Sequence, residues 1–164
     1  MKTTKQSYSW TQQTGWGALA ISATTDGVHS VRLHAGRARQ SLDDSAPREV
    51  RDIARRFERF FAGDTRALDD VAVDLSAIGN DFQRKVLTTL RKRIGPGETI
   101  SYGELAVAVG HPGAARAVGT AMARNPVPIV VPCHRVLASG GGLGGYGGGL
   151  EMKKALLRLE GALQ

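Results

Sequence analysis

The sequence predicts an α+β protein, with a small N-terminal sheet-and-helix domain over residues 1–76 and a mainly helical C-terminal domain over 77–164 that contains a helix-turn-helix. Three observations predict it. Apolar and small residues alternate along part of the first third, interrupted by a hairpin turn. In the second half, apolar residues recur at spacings of three and four. Charge divides the same way: residues 1–79 hold 11 Lys/Arg against 10 Asp/Glu, a net of +1, and residues 80–164 hold 11 against 5, a net of +6. A basic half beside a near-neutral one suggests a face that meets a polyanion, with nucleic acid the first candidate.

Bulk composition narrows the classes. No apolar run approaches the roughly 20 residues that span a bilayer, so no membrane partner is expected. The opening MKTTKQSYSW has no apolar stretch after its lysines and is not a secretory signal, which points to an intracellular protein. A single cysteine excludes an internal disulfide and a cysteine-rich zinc site.

Taken in order, Leu19 and Ile21 alternate with small residues, Asp26-Gly27 makes the turn, and Val28, Val31 and Leu33 follow. Residues 35–47 are polar and read as a mobile loop. Val50, Ile53, Phe57, Phe60 and Phe61 then mark a helix ended by Gly63, and Val71, Val73 and Leu75 a short strand. The boundary falls near 76–80. Asn80 caps a helix carrying Phe82, Val86, Leu87, Leu90 and Ile94, closed by Pro96-Gly97. Ser101 with Glu104 is a capping box opening a helix to about Val109. After Gly110-His111-Pro112-Gly113, a further helix runs over 114–123. These two short helices are the helix-turn-helix candidate, and the second displays Arg116 and Arg124 among small residues that let a partner come close. Asn125-Pro126-Val127-Pro128 cannot be helix interior. Ile129-Val130-Val131 reads as a buried strand or extended segment leading to Cys133. A glycine-dense stretch and a closing amphipathic helix over 150–159 complete the chain.

Cys133 is the natural candidate nucleophile, but a thiol reacts strongly only as thiolate and needs a neighbour that favours that form. His134 follows it directly. Adjacent side chains of an extended chain point apart, so a bend or a bridging water is needed to couple them.

The run NPVPIVVPCHRV at 125–136 resembles the active-site signature of the O6-alkylguanine-DNA alkyltransferases. SYGELA at 101–106 and PGAARAVGTAMARNP at 112–126 resemble that family's DNA-binding helix pair, and SGGGLGGYGGGLEMKKALLRLEG at 139–161 its closing loop and helix. About 80 residues are covered, whereas the first 75 match only in outline. The resemblance implies a single-turnover enzyme that repairs DNA by moving an alkyl group from O6-alkylguanine, and from O4-alkylthymine, irreversibly onto Cys133. It implies His134 as general base through a water, Glu160 as the carboxylate behind it, and Asn125 as support for the turn around the cysteine. Tyr102 would rotate the target phosphate and help guanine leave, and Arg116 would fill the place of the flipped base. Ala114, Ala115, Ala117, Gly119, Arg124 and Arg135 complete the implied DNA contact in the minor groove, with Met122, Val136, Ser139, Tyr146 and Gly147 around the substrate. The implied partner is duplex DNA bound by a monomer, with no cofactor and no metal. A base inside the stack must be extruded, at roughly a few kcal/mol.

The chain departs from the family pattern in places. Gly145 and Gly147 flank Tyr146 where many relatives carry a polar residue, which puts pocket selectivity in doubt. Leu87 stands where a tryptophan is common, and the zinc ligands of some relatives have no cysteine counterpart. Gly142 to Gly147 fits G-x-G-x-x-G, but the acidic residue of a dinucleotide site would fall beyond Gln164, so that motif fails. Two rivals stay open: a cysteine hydrolase, weakened by the adjacency of Cys133 and His134, and a lesion-binding protein that does not react.

Overall fold

The computed structural model describes residues 3–37 and 39–164. The chain packs as two compact units, Met1–Asp74 and Leu75–Gln164.

In the first unit, β1 (Tyr8–Thr14), β2 (Gly17–Thr24) and β3 (Gly27–Arg32) form an antiparallel sheet in that order. The alternating residues Leu19, Ile21, Ala23, Val28 and Val31 are buried, together with Trp10. β1 carries no such alternation, since Trp10 is its only buried residue, and its sequence therefore reads as polar chain. Helix α1 (Arg48–Phe61) covers the sheet with Val50, Ile53, Phe57 and Phe60, and Phe57 meets Trp10 edge-on at 6.5 Å. The polar loop at 35–47 is tethered: Gln40 donates its backbone N–H to Thr11 Oγ1 and accepts from the Thr11 N–H, both at 2.9 Å. Ala38 of that loop lies outside the described residues. The chain returns beside β3, where Val28 donates to the Ala72 carbonyl and Asp74 to that of Val28, each at 2.9 Å. Gly27 is needed there twice over. Its φ is +132°, and a Cβ would lie 2.4 Å from the Ala72 oxygen.

The second unit holds α2 (Asp81–Arg93), α3 (Tyr102–Ala108), α4 (Ala115–Ala123) and α5 (Leu150–Leu159). Asn80 caps α2 by accepting from the Gln83 N–H, and Ser101 and Glu104 form the capping box of α3. Gly110 and Gly113, both at φ +84°, turn the chain so that α4 packs on α3. Val86, Leu87, Leu90, Leu105, Val118 and Leu156 are all but fully buried, so Leu87 is a core residue of this unit. The sequence did not mark a two-residue parallel pairing of β4 (Ile100–Ser101) with β5 (Val136–Leu137). It sets the start of α3 beside the segment following Cys133.

The stretch before Cys133 is not a strand. Ile129 and Val130 form a tight turn closed by a Pro128–Val131 bridge and by Val131 N–H donating to the Val127 carbonyl at 3.0 Å. Ile129 sits at φ +75°, a left-handed conformation that a β-branched residue holds only at a cost of about 1–3 kcal/mol. Its buried side chain and the Asn125 side chain compensate. Asn125 Nδ2 donates to the Val131 carbonyl at 2.9 Å, and Asn125 Oδ1 accepts from the Val127 N–H at 3.0 Å. The apolar run looked extended because the turn is enforced by a side chain outside it.

Gly27→Ala should destabilise the protein by at least about 2 kcal/mol, combining left-handed strain with a clash that only backbone movement relieves. Thermal melting checks it, at roughly 2–4 °C for each kcal/mol, and an unchanged melting temperature would show that the Gly27–Ala72 approach is not fixed.

Candidate active site

The site is built at a bend. After the 128–131 turn, Pro132 leads into a short 3-10 turn, Cys133–Arg135, that places three chemically active side chains in the interior: Cys133 is 7% exposed, His134 0% and Arg135 6%. The bend answers the geometric problem of adjacent Cys and His, because successive side chains of such a turn need not oppose each other.

The organising group is Glu160, the C-terminal cap of α5, whose side chain is wholly buried. It accepts from His134 Nε2 at 2.8 Å and from Arg135 Nε and Nη2 at 2.9 and 2.7 Å. Burial alone would raise its pKa, but hydrogen bonds and charge from Arg135 and His134 override that and lower it to about 2. Glu160 is therefore a carboxylate that only accepts, which requires His134 Nε2 to carry a proton. In the neutral ring the basic nitrogen is then Nδ1, which is buried and has no protein partner among the described residues. Burial lowers the His134 pKa, opposed by the bond to Glu160, so the neutral imidazole is favoured.

Cys133 feels burial first, which raises its pKa; an Asn125 hydrogen bond and the charge of Lys153 work in the other direction. Lys153 is a residue the sequence reading missed. It is fully buried on α5, donating Nζ to the Val136 carbonyl at 2.7 Å and the Gly145 carbonyl at 3.2 Å, and desolvation lowers its pKa to about 8. A signal was available: Lys153 and Glu160 share the three-and-four spacing of Leu156 and Leu157, which puts both on the apolar face of α5.

A cavity of about 390 Å³ opens onto the Cys133 thiol, lined also by Tyr102, Gly119, Met122, Ala123, Gly145, Tyr146 and Gly147. Tyr102 is the first residue of α3, and its pKa is raised by burial and then by Cys133. Gly144, at φ +67°, lets the loop approach Tyr102 so closely that a Cβ would lie 3.0 Å from the ring. The Tyr146 hydroxyl is buried without a protein partner among the described residues, and burial drives its pKa well above the usual value. Of the residues expected around the substrate the cavity is lined by Met122, Tyr146 and Gly147; Tyr102, Gly119, Ala123 and Gly145 also line it.

Three expected placements need correction. Arg135 is buried rather than displayed at the surface: its guanidinium is committed to Glu160 and, through Nη1, to the Ile94 carbonyl at 2.7 Å. Val136 is fully buried in β5 and Ser139 is exposed, and neither lines the cavity. Of the expected DNA contacts, Arg116 is exposed at the second position of α4 and Arg124 is exposed at its C-cap. Ala114 and Ala115 are half-buried at the start of that helix, Gly119 is half-buried and Ala117 exposed. Among the described residues no group of three or more His, Cys, Asp or Glu could hold a metal ion, and no helix is long and apolar enough to cross a membrane.

Comparison with known proteins gives concordant results. Residues 81–162 match the family model described as 6-O-methylguanine DNA methyltransferase, DNA binding domain. A methylated-DNA–protein-cysteine methyltransferase of Methanosarcina acetivorans is 40% identical, covering 89% of this chain and 93% of its own. The crystal structure of Mycobacterium tuberculosis O6-methylguanine methyltransferase superimposes with a TM-score of 0.78 at 36% identity, covering 97% of this chain and 95% of that one. The Mycobacterium tuberculosis OGT structure in complex with DNA has a TM-score of 0.78 at 40% identity, over 93% and 91% of the two chains.

The Glu160 cluster sets a pH dependence. With a folded pKa of about 2 against an ordinary 4.5, Glu160 contributes stability that is fully present above pH 4.5 and is lost as pH falls towards 2. Glu160→Gln should lose roughly 3–5 kcal/mol at neutral pH, since Arg135 is left buried without its counter-charge. Its denaturant midpoint should also fall less steeply than the parent's between pH 4.5 and 2. Parallel midpoint curves across that window would refute the assignment.

Proposed function

The chain belongs to the methylated-DNA–protein-cysteine methyltransferase family, and from that premise we propose that it repairs DNA by moving the alkyl group of O6-alkylguanine once, and irreversibly, to Cys133. The same chemistry extends to O4-alkylthymine. The observation that carries the reading is a buried thiol at the end of a cavity, followed directly by a histidine whose free nitrogen is fixed by a buried carboxylate.

The chain's residues divide the work as follows. His134 Nδ1 takes the thiol proton through a bridging water. Glu160, through Nε2, stabilises the imidazolium that forms. Lys153 favours the thiolate by its charge, and Asn125 by a hydrogen bond. The Cys133 sulfur then attacks the alkyl carbon, a sulfur–carbon bond forms, and the carbon–O6 bond breaks with its electron pair passing to O6. The guanine anion regains one proton, equal to the one the thiol gave up, so thiol and alkylguanine become thioether and guanine. Tyr102, at the cavity wall, rotates the target phosphate and helps guanine leave.

A thiol so enclosed cannot reach a base inside the stack, so the nucleotide must be flipped out. Helix α4 supports a minor-groove approach: Arg116 projects from its exposed start to fill the place of the flipped base, among Ala114, Ala115, Ala117 and Gly119. Arg124 adds phosphate contact. In this reading the protein acts on DNA as a monomer inside the cell.

Incubation with O6-methylguanine duplex should raise the intact mass by one methylene equivalent on a fraction of protein equal to the lesion consumed, mapped to the Cys133 peptide. Cys133→Ala should transfer nothing yet still bind duplex. Turnover beyond one event per molecule, or alkylation elsewhere, would return the choice to a hydrolase or a non-reacting binder.

Lys153→Met should raise the thiol pKa further, moving the pH–rate profile with free O6-benzylguanine to higher pH. A displacement of about one unit slows neutral-pH transfer roughly tenfold. A uniform loss at every pH would instead confine Lys153 to joining the Val136 and Gly145 carbonyls.

A further inference from the structure

Helix α1 buries Val50, Ile53, Phe57 and Phe60 on one side and carries arginines on the other. At 3.6 residues per turn, Arg48, Arg51, Arg55 and Arg59 fall within roughly 80° of arc, opposite the buried face. All four are exposed. Arg59 pairs with Asp64, but among the described residues no carboxylate pairs with Arg48, Arg51 or Arg55. Two acids flank the ridge: Asp52 is taken by Arg56, which also holds Asp70, and Glu58 is exposed and makes no ion pair among the described residues. The result is a ridge about 16 Å long carrying three guanidiniums without an ion-pair partner among the described residues.

Five of the helix's 14 residues are arginines and none is lysine. Asp52 stands four residues after Arg48 and Glu58 three after Arg55, the spacings at which opposite charges pair on a helix, yet among the described residues neither pairs with Arg48, Arg51 or Arg55. Guanidiniums are suited to phosphate by their planar, forked donors. At 3.4 Å per nucleotide of one strand, a ridge of this length lies alongside roughly five phosphates. We infer that the α1 ridge is a second DNA-binding surface, holding the phosphate backbone of duplex DNA without reading sequence. It belongs to the first unit, whereas the residues assigned above to DNA contact belong to the second. The inference rests on the repair reading only for the identity of the polyanion.

The test is the salt dependence of binding to undamaged duplex by the full chain. Each phosphate contact contributes about 0.9 to the slope of log affinity against log salt, so Arg48→Gln/Arg51→Gln/Arg55→Gln should make the slope shallower by roughly 2 to 3. A control with the same charge removed elsewhere on the first unit, Lys5→Gln/Arg32→Gln/Arg66→Gln, should change it much less. Transfer from free O6-benzylguanine should be unchanged in both, because neither set touches the Cys133 site, so a failure of the repair reading is scored separately. An unchanged slope in the ridge variant overturns the proposal and leaves the ridge to an acidic protein surface. Equal reductions in ridge and control variants overturn it too, since net charge alone would then explain the binding.

Discussion

The second unit depends on one buried carboxylate. Glu160 gathers three N–H donors from two consecutive residues of the 133–135 turn, and Arg135 extends the chain of bonds to the Ile94 carbonyl just past α2. One cluster therefore joins the end of α5, the reactive turn and the exit of α2. It is a structural clamp and a chemical device at once. Because a carboxylate held at about pKa 2 is always an acceptor, it fixes the His134 tautomer without any further contact. Arg135 is what makes this possible: without its charge, burial would push Glu160 the other way and its grip on the imidazole would weaken.

Much of this was legible from residues alone, for local reasons. Asn80 and the Ser101–Glu104 pair announce helix starts because capping is a contact within one turn. The helix periodicities survive because each apolar stripe has one face to bury. The misses share a different cause. Arg135 reads as a surface cation because its partner lies 25 positions away. Lys153 reads as a solvated helix lysine because only the fold brings two carbonyls to it. The 129–130 turn reads as strand because the side chain enforcing it, Asn125, precedes the apolar run. β1 is polar and is recruited by its neighbour rather than by its own pattern. The roles of Cys133, His134 and Glu160 were reached through likeness to a family, since a Cys-His pair and a glutamate near a helix end would not have distinguished themselves.

Burial and reactivity pull against each other at Cys133. Enclosure raises the thiol pKa and lowers that of His134, so the resting pair is held neutral. A permanently ionised thiolate would suit a catalyst that recovers, but in the proposed transfer each nucleophile is consumed by its first reaction. A neutral pair protects the thiol from stray electrophiles and oxidants, whose attack follows thiolate character and exposure. The groups that favour thiolate, Lys153 by its charge and Asn125 by a hydrogen bond, act against that burial.

The same enclosure decides how the site must be loaded. Its walls are backbone at Gly119, Gly145 and Gly147, where a Cβ would meet open space, so the cavity is wide because side chains are absent rather than because the fold gapes. A dry cavity of 150 Å³ already admits benzene, and the 390 Å³ here exceeds twice that volume. The cavity therefore has room for a purine ring. The glycines that create this room come at a conformational cost, since Gly144 and Gly149 hold positive φ on either side of Tyr146. Lys153 offsets part of it by fastening the Gly145 carbonyl to the core through the same ammonium that holds Val136. The loop that shapes the pocket and the strand that follows the nucleophile are thus tied by one charge, and that charge also biases the thiol. Binding geometry and reactivity at Cys133 are for this reason a single property of α5.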